Sequence, residues 1–150
     1  MKKTGLCVGL ILLAGMALAA SPQEESRFLK AIREAFTKED GRAVVALTCF
    51  DNVEVAVAQS ERALYSTNFP FLHLEISTVG YETPDPAPSA TGVLDGKPFK
   101  WNLTVVKNIR IVYKTGGGKA TQTLPVGEKD GKLFFPRPMT PKATNSTSHP

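Results

Sequence analysis

Apolar residues recur every three to four positions in the first part of the chain and every second position after Pro70, so helical periodicity gives way to strand periodicity near the middle. Phe28, Leu29, Ile32 and Phe36 carry the first pattern, with Arg27, Lys30, Arg33 and Glu34 between them. Ser21 stands before it as an N-cap, Pro22 takes the first helical position and Glu24 the third, a combination that starts helices. Gly41, a natural C-cap, is expected to close this helix. A second, shorter helix is predicted over 42–50, and Asp51-Asn52 breaks it. Asp51 with Glu54 forms a further capping pair. A third helix is predicted over 53–66, with Val53, Val57, Leu64 and the small Ala56 and Ala63 available for its buried side. Asn68 and Pro70 stop it.

The strand pattern opens with Leu72, Leu74 and Ile76 alternating with His73, Glu75 and Ser77, and Val79 and Tyr81 extend it. Three prolines at 84, 86 and 88 make a surface loop. Asp95-Gly96 predicts a two-residue hairpin, because such turns need positive φ. Beyond it Phe99, Trp101 and Leu103 alternate with Lys100, Asn102 and Thr104. Val105-Val106 breaks that phase, and Ile109, Ile111 and Tyr113 restart it opposite Asn108, Arg110 and Lys114. Gly116 to Gly118 turn the chain. Ala120, Gln122 and Leu124 then face one way, with Thr121 and Thr123 on the other. A turn at 128–131 leads to a last short strand at 132–135. Helices first and strands later predict an α+β fold: two or three N-terminal helices packed on a curved antiparallel sheet of four to six strands.

The first residues read differently from the rest. Lys2 and Lys3 precede a run, 5–20, without a charged residue, and the run closes on Ala17-Leu18-Ala19-Ala20. A positive start, an apolar middle and a small-residue end are the design of a cleavable export signal. Ala17 and Ala19 take the −3 and −1 positions of a cut after Ala19; a cut after Ala20 puts Leu18 at −3. The run is short of the roughly 20 residues that span a bilayer, and Cys7 lies at its start, not after it where a lipid-modified cysteine belongs. The expected organisation is a signal over 1–20, one domain over 21–136, and a disordered tail over 137–150, which holds Pro, Thr, Ser, Lys and Asn and little to bury. The processed protein is expected to be periplasmic or secreted, with no stable membrane insertion.

Charge is split along the chain. Residues 21–95 hold 12 acids and 6 bases, whereas 96–150 hold 2 acids and 10 bases. Either a basic face awaits an anionic partner, such as an envelope component or another protein, or the basic strands pack against an acidic helical layer. Lys100, Arg110, Lys114, Trp101 and Tyr113 are the candidate binding residues of the first alternative. Aromatic and basic residues alternate along these strands and so point to opposite faces, which argues against nucleic acid. Without Cys7, Cys49 is the one remaining cysteine; it sits in the apolar run 44–50, which predicts burial.

The stretch 28–32, with Phe28 and Ile32, and then Gly41-Arg42-Ala43-Val44-Val45-Ala46-Leu47-Thr48-Cys49-Phe50-Asp51-Asn52-Val53, resembles the opening of uncharacterised small exported bacterial proteins. Their helix pair and curved sheet are similar to the nuclear-transport-factor-two-like (cystatin-like) α+β cone. The run from Leu124 through Gly127 and Gly131 to Phe135 resembles the closing hairpin of such proteins. The resemblance spans 27–135 and implies a pocket between the concave sheet and the helices. That superfamily hosts enzymes and inert binding modules alike, so it fixes no activity.

Enzymes of this shape pair an acid with His or Tyr inside the pocket. Asp51, His73 and Tyr65 are the candidates here, but nothing in their spacing brings them together. His73 falls on the polar side of its strand. No residues have metal-ligand spacing, and glycine motifs for phosphate or dinucleotide binding are absent, so neither a metal nor a cofactor is expected. Asn102-Leu103-Thr104 and Asn145-Ser146-Thr147 match the glycosylation acceptor pattern by chance. The sequence thus favours a non-enzymatic domain that binds a ligand or partner, with a small cone-fold hydrolase or isomerase, or a structural envelope protein, as the alternatives.

Overall fold

A computed structural model describes residues 20–67, 75–82, 91–94 and 96–139. The predicted signal up to Ala19, His73, the proline-rich loop, Asp95 and residues 140–150 lie outside the described residues. Three helices, α1 (Pro22–Thr37), α2 (Gly41–Ala46) and α3 (Val55–Thr67), precede six strands. These are β1 (Glu75–Glu82), β2 (Thr91–Leu94), β3 (Lys97–Lys100), β4 (Thr104–Thr115), β5 (Gly118–Lys129) and β6 (Lys132–Phe134). The fold is α+β, as the order of periodicities requires: the helices pack on a curled antiparallel sheet of order β1-β4-β5-β6, and β2 and β3 form a separate hairpin.

The core lies where the periodicities meet. Phe28, Ile32, Ala35 and Phe36 of α1, with Val44 and Leu47, face Ile109, Ile111 and Tyr113 of β4, Val126 of β5, and Leu133 and Phe135. The rings of Phe28 and Phe135 stand 5.4 Å apart. Each fully buried Phe, Ile or Leu contributes about 1.5–3 kcal/mol, so these facing stripes hold the layers together without a disulfide. Cys49 is free and buried.

Two bulges curl the sheet. One falls between Ile76 and Thr78, the other between Val105 and Lys107. An extra residue shifts the alternation by one and bends the strand. Ile76, Val79 and Tyr81 are odd-spaced in sequence, yet all three pack on the core because the first bulge lies between them. The second explains why Val105-Val106 interrupts the phase of the strand. The β5–β6 turn is a tight one, Asp130 at φ 52° and Gly131 at φ 72°, which opposes Lys129 to Lys132.

Four expectations need correction. The second helix stops at Ala46, not Phe50: Thr48 makes a parallel bridge to Phe135, and the Cys49 amide donates to the Phe135 carbonyl at 3.0 Å. Pairing with the end of the sheet outcompetes another helical turn. Trp101 does not continue β3 as a regular strand but forms an isolated bridge to Pro138. The third helix buries a different side from the one its apolar residues suggested. Ala58 is buried and Glu61 and Tyr65 are half-buried, whereas Val57 and Leu64 stand 43 % and 48 % exposed. Finally, the chain does not lose order at Pro136. The Met139 amide donates to the Lys100 carbonyl at 2.8 Å, and Asn102 brackets Arg137, donating to its carbonyl at 2.9 Å and accepting from its amide at 2.7 Å.

Candidate functional site

Between the helices, the middle of β5 and the chain that follows β6, the layers leave a cavity of about 210 Å³. Phe36 and Val44 come to it from α1 and α2, Tyr65 from α3, and Leu124 and Pro125 from β5. Trp101, Phe135 and Pro136 close it, and the polar groups on its wall are Thr48, Gln122, Arg137 and the Tyr65 hydroxyl. Its walls are thus mostly aromatic and aliphatic, with four neutral or basic polar groups and, among the described lining residues, no carboxylate and no histidine.

Thr48, Gln122 and Arg137 are already engaged. The Thr48 hydroxyl donates to the Val44 carbonyl at 2.9 Å. Gln122 Oε1 accepts from the Tyr113 hydroxyl at 2.7 Å, which leaves its amide nitrogen as a donor. Burial pushes the Tyr113 phenol up to about 12, so it stays protonated and donating at neutral pH. Arg137 Nε lies 2.8 Å from Glu61 Oε2 of α3, out of contact with solvent but off the angle of an aligned hydrogen bond. The short distance makes the pair attractive; the poor alignment makes it a positional clamp rather than a strong hydrogen bond. It ties the last described residues to α3 across the cavity mouth.

The sequence candidates are dispersed around this site. Tyr65 is in the cavity wall. Asp51 is not: it is half-exposed beside an open groove with Arg62 and Lys129, and it pairs with Lys129. That pairing holds the Asp51 carboxyl below the usual carboxylate range and raises the Lys129 ammonium. His73 lies outside the described residues. Trp101 lines the cavity, its ring set edge-on to Phe99 with centroids 4.7 Å apart. Tyr113 is buried, 4 % exposed, on the core side of β4. Lys100, Arg110 and Lys114 point outward, opposite the aromatics, as alternation requires.

Two of these three outward bases, and Lys107 beside them, are ion-paired within the fold. Arg110 pairs with Glu82 at 3.5 Å and Lys114 with Glu75, both on β1; Lys107 pairs with Glu25 of α1. With Lys129–Asp51 and Arg137–Glu61 these make five pairs, and each joins a base from 96–150 to an acid from 21–95. Five of the ten bases of 96–150 are therefore met by acids of the first half. The Tyr81 hydroxyl donates to the Glu25 carbonyl at 2.9 Å, and Lys107 sits over its ring at 5.0 Å. Burial, with the Glu25 carboxylate next, raises the Tyr81 phenol far above its usual range.

Sequence reasoning missed Gln122, Arg137 and Asn102 as site residues. Gln122 was legible only as an inward strand position and Arg137 only as part of a polar tail. Asn102 is the residue of the chance acceptor pattern. Its Nδ2 donates to the carbonyls of Cys49 and Asp51 at 2.9 and 2.8 Å, while its Oδ1 accepts from the Arg137 amide, so it ties two distant segments together beside Trp101. No local signal distinguishes such an asparagine from a surface one. Among the described residues no group of three or more His, Cys, Asp or Glu could hold a metal, and no helix is long and apolar enough to cross a membrane. Comparison with protein families, with curated proteins and with solved structures gives no match, so the geometry alone carries the functional argument.

Proposed function

We propose that the chain is an exported bacterial protein of the nuclear-transport-factor-two-like cone type, and that its domain is a non-enzymatic binding module for a small, apolar, ring-bearing molecule. The aromatic cavity carries this reading: it is roomy, mostly apolar, and its described walls offer no acid–base pair. An apolar cavity of about 150 Å³ accommodates benzene, so 210 Å³ suits one ring with a few further heavy atoms. Faces of Phe36, Tyr65, Trp101 and Phe135 stack or pack on a ring, and the Gln122 amide and Arg137 supply polar contacts at its edge. Asp51 lies away from the cavity in an ion pair, which favours binding over a hydrolase or isomerase that would use it. The five cross-pairs likewise favour a helical layer that neutralises the strands over an open basic face. The export signal at 1–20 supports the compartment.

Trp101 is the single tryptophan of the chain and lies in the cavity wall, so its emission reports on occupancy. Titration with toluene and with cyclohexanol should change that emission saturably, with Kd between about 10 μM and 1 mM, or about −7 to −4 kcal/mol. Leu124→Phe, which fills the cavity, should abolish the change while the fold persists by circular dichroism. Absence of any saturable response or thermal stabilisation up to the solubility limit of both probes would sink the proposal.

A further inference from the structure

The backbone nitrogen of Ala20 donates to Glu128 Oε2 at 2.9 Å, although the two residues are 108 apart in sequence. Ala20 is half-buried and packs against the core. Ser21 follows as the extended N-cap of α1. Three residues further on, Glu24 Oε1 accepts from the Leu133 amide at 3.0 Å, and Leu133 is the register partner of Glu128. Two carboxylates from the chain start and the sheet end therefore converge on the β5–β6 hairpin. Glu24 is neutralised by Arg27, whose Nε and Nη2 each donate to it at 2.6 Å. Glu25, Asp51, Glu61, Glu75 and Glu82 hold a Lys or Arg as well. Among the described residues, no Lys, Arg or His side chain pairs with Glu128; what meets its carboxylate is the nitrogen of Ala20.

We propose that the leader is removed by hydrolysis of the Ala19–Ala20 bond, and that the α-ammonium this creates is the cation that neutralises Glu128. Water adds across the peptide bond: Ala19 departs as a carboxylate, and Ala20 keeps the nitrogen, protonated at neutral pH because an α-amine has a pKa of about 7.7–8.0. A single amide donor becomes a charged group with three, and a charge-assisted bond is about twice as strong as a neutral one. Cutting after Ala20 would delete both the core contact and the Glu128 partner. The small residues Ala17 and Ala19 take the −3 and −1 positions of the same bond that the geometry selects. The inference rests on the export reading and adds to it the cut position and a role for the new terminus.

The test expresses the full chain in an exporting bacterium and reads the N-terminus and mass of the exported protein. A chain beginning Ala20-Ser21-Pro22 is expected. A start at Ser21 overturns the inference and leaves export standing; an intact Met1 overturns export itself. A second full chain carries one glycine inserted after Ala19, so that the cut leaves the amine one residue away from Glu128. Its thermal midpoint should fall by about 3 °C, and Glu128→Gln should remove the difference between the two chains. Equal midpoints for the two starts, or a difference that survives Glu128→Gln, would show that no ammonium–carboxylate pair forms. Should Glu128→Gln fail to fold, the comparison of the two starts at low and at molar salt still decides, because a charge pair is screened and a packing contact is not.

Discussion

Replacing Gly41 by alanine adds one methyl group where the structure has no room for it. Gly41 is buried at the start of α2, against the last turn of α3. A Cβ at this position lands on the Tyr65 carbonyl oxygen, 2.5 Å from its carbon and 3.3 Å from the Tyr65 Cα. The obstacle is backbone, so no rotamer change relieves it; one helix must move off the other. Overpacking of this kind costs about 1–3 kcal/mol, and the upper end applies when the neighbour cannot give way. The better helix propensity of alanine returns at most about 1 kcal/mol. A net loss of about 2 kcal/mol lowers Tm by roughly 8 °C for a domain of this size. Circular dichroism melts of wild type, Gly41→Ala and Gly116→Ala measure it, the last being a control with open space around the added methyl. Because Tyr65 is also cavity wall, the Trp101 response to toluene should weaken in the same variant. A Gly41→Ala midpoint within about 2 °C of wild type would refute the packing argument.

Two further outcomes follow from titrating groups. The Glu24 carboxyl is held below its ordinary value first by the hydrogen bond from Arg27, so it stabilises the fold above about pH 4.5 and that contribution fades as acid protonates it; Glu24→Gln should lose about 1 kcal/mol in urea unfolding at pH 7 and match wild type near pH 3, and an equal loss at both pH values would point to shape rather than charge. Tyr113 titrates at 10 when unfolded and near 12 when buried, so stability should hold to pH 10, decline between 10 and about 12, and decline less in Tyr113→Phe; a folded protein in which every phenol ionises at 10 by ultraviolet absorbance would contradict the burial.

The layered α+β architecture was legible because its causes are local. Phe28, Ile32 and Phe36 sit one helical turn apart, Ile109, Ile111 and Tyr113 two residues apart, and both sets are buried. Asp-Gly and Asp130-Gly131 mark turns by their φ requirements alone. The misjudged places are those where a distant segment decides. Residues 47–50 would extend α2 by propensity, but Phe135 offers them bridge partners. Val57 and Leu64 have the spacing of a buried stripe, yet α3 turns Glu61 and Tyr65 inward to meet Arg137 and Gly41. Glu24 looked like the second half of a capping box with Ser21. The Glu24 amide does donate to the Ser21 hydroxyl at 3.2 Å, but the Glu24 side chain reaches across to β6. The cavity is a product of such long-range contacts: Trp101, Gln122 and Arg137 come together only once β3, β5 and the end of the chain are in place.

The five cross-pairs between the acidic first half and the basic second half also bear on how the chain finds its shape. Within either half the majority charge repels itself, with Glu24–Arg27 and Lys30–Glu34 as local exceptions in the first. Between the halves the charges attract, and several native contacts cross from one half to the other: α1 with β4, β1 with β4, and α3 with the end of the chain. Long-range contacts are the ones that loop closure makes slow. A sequence that stores its acids early and its bases late thus sets a weak attraction along the contacts hardest to form. Two fragments, one ending after β1 and one beginning before β2, would carry opposite net charge and should seek each other in dilute salt.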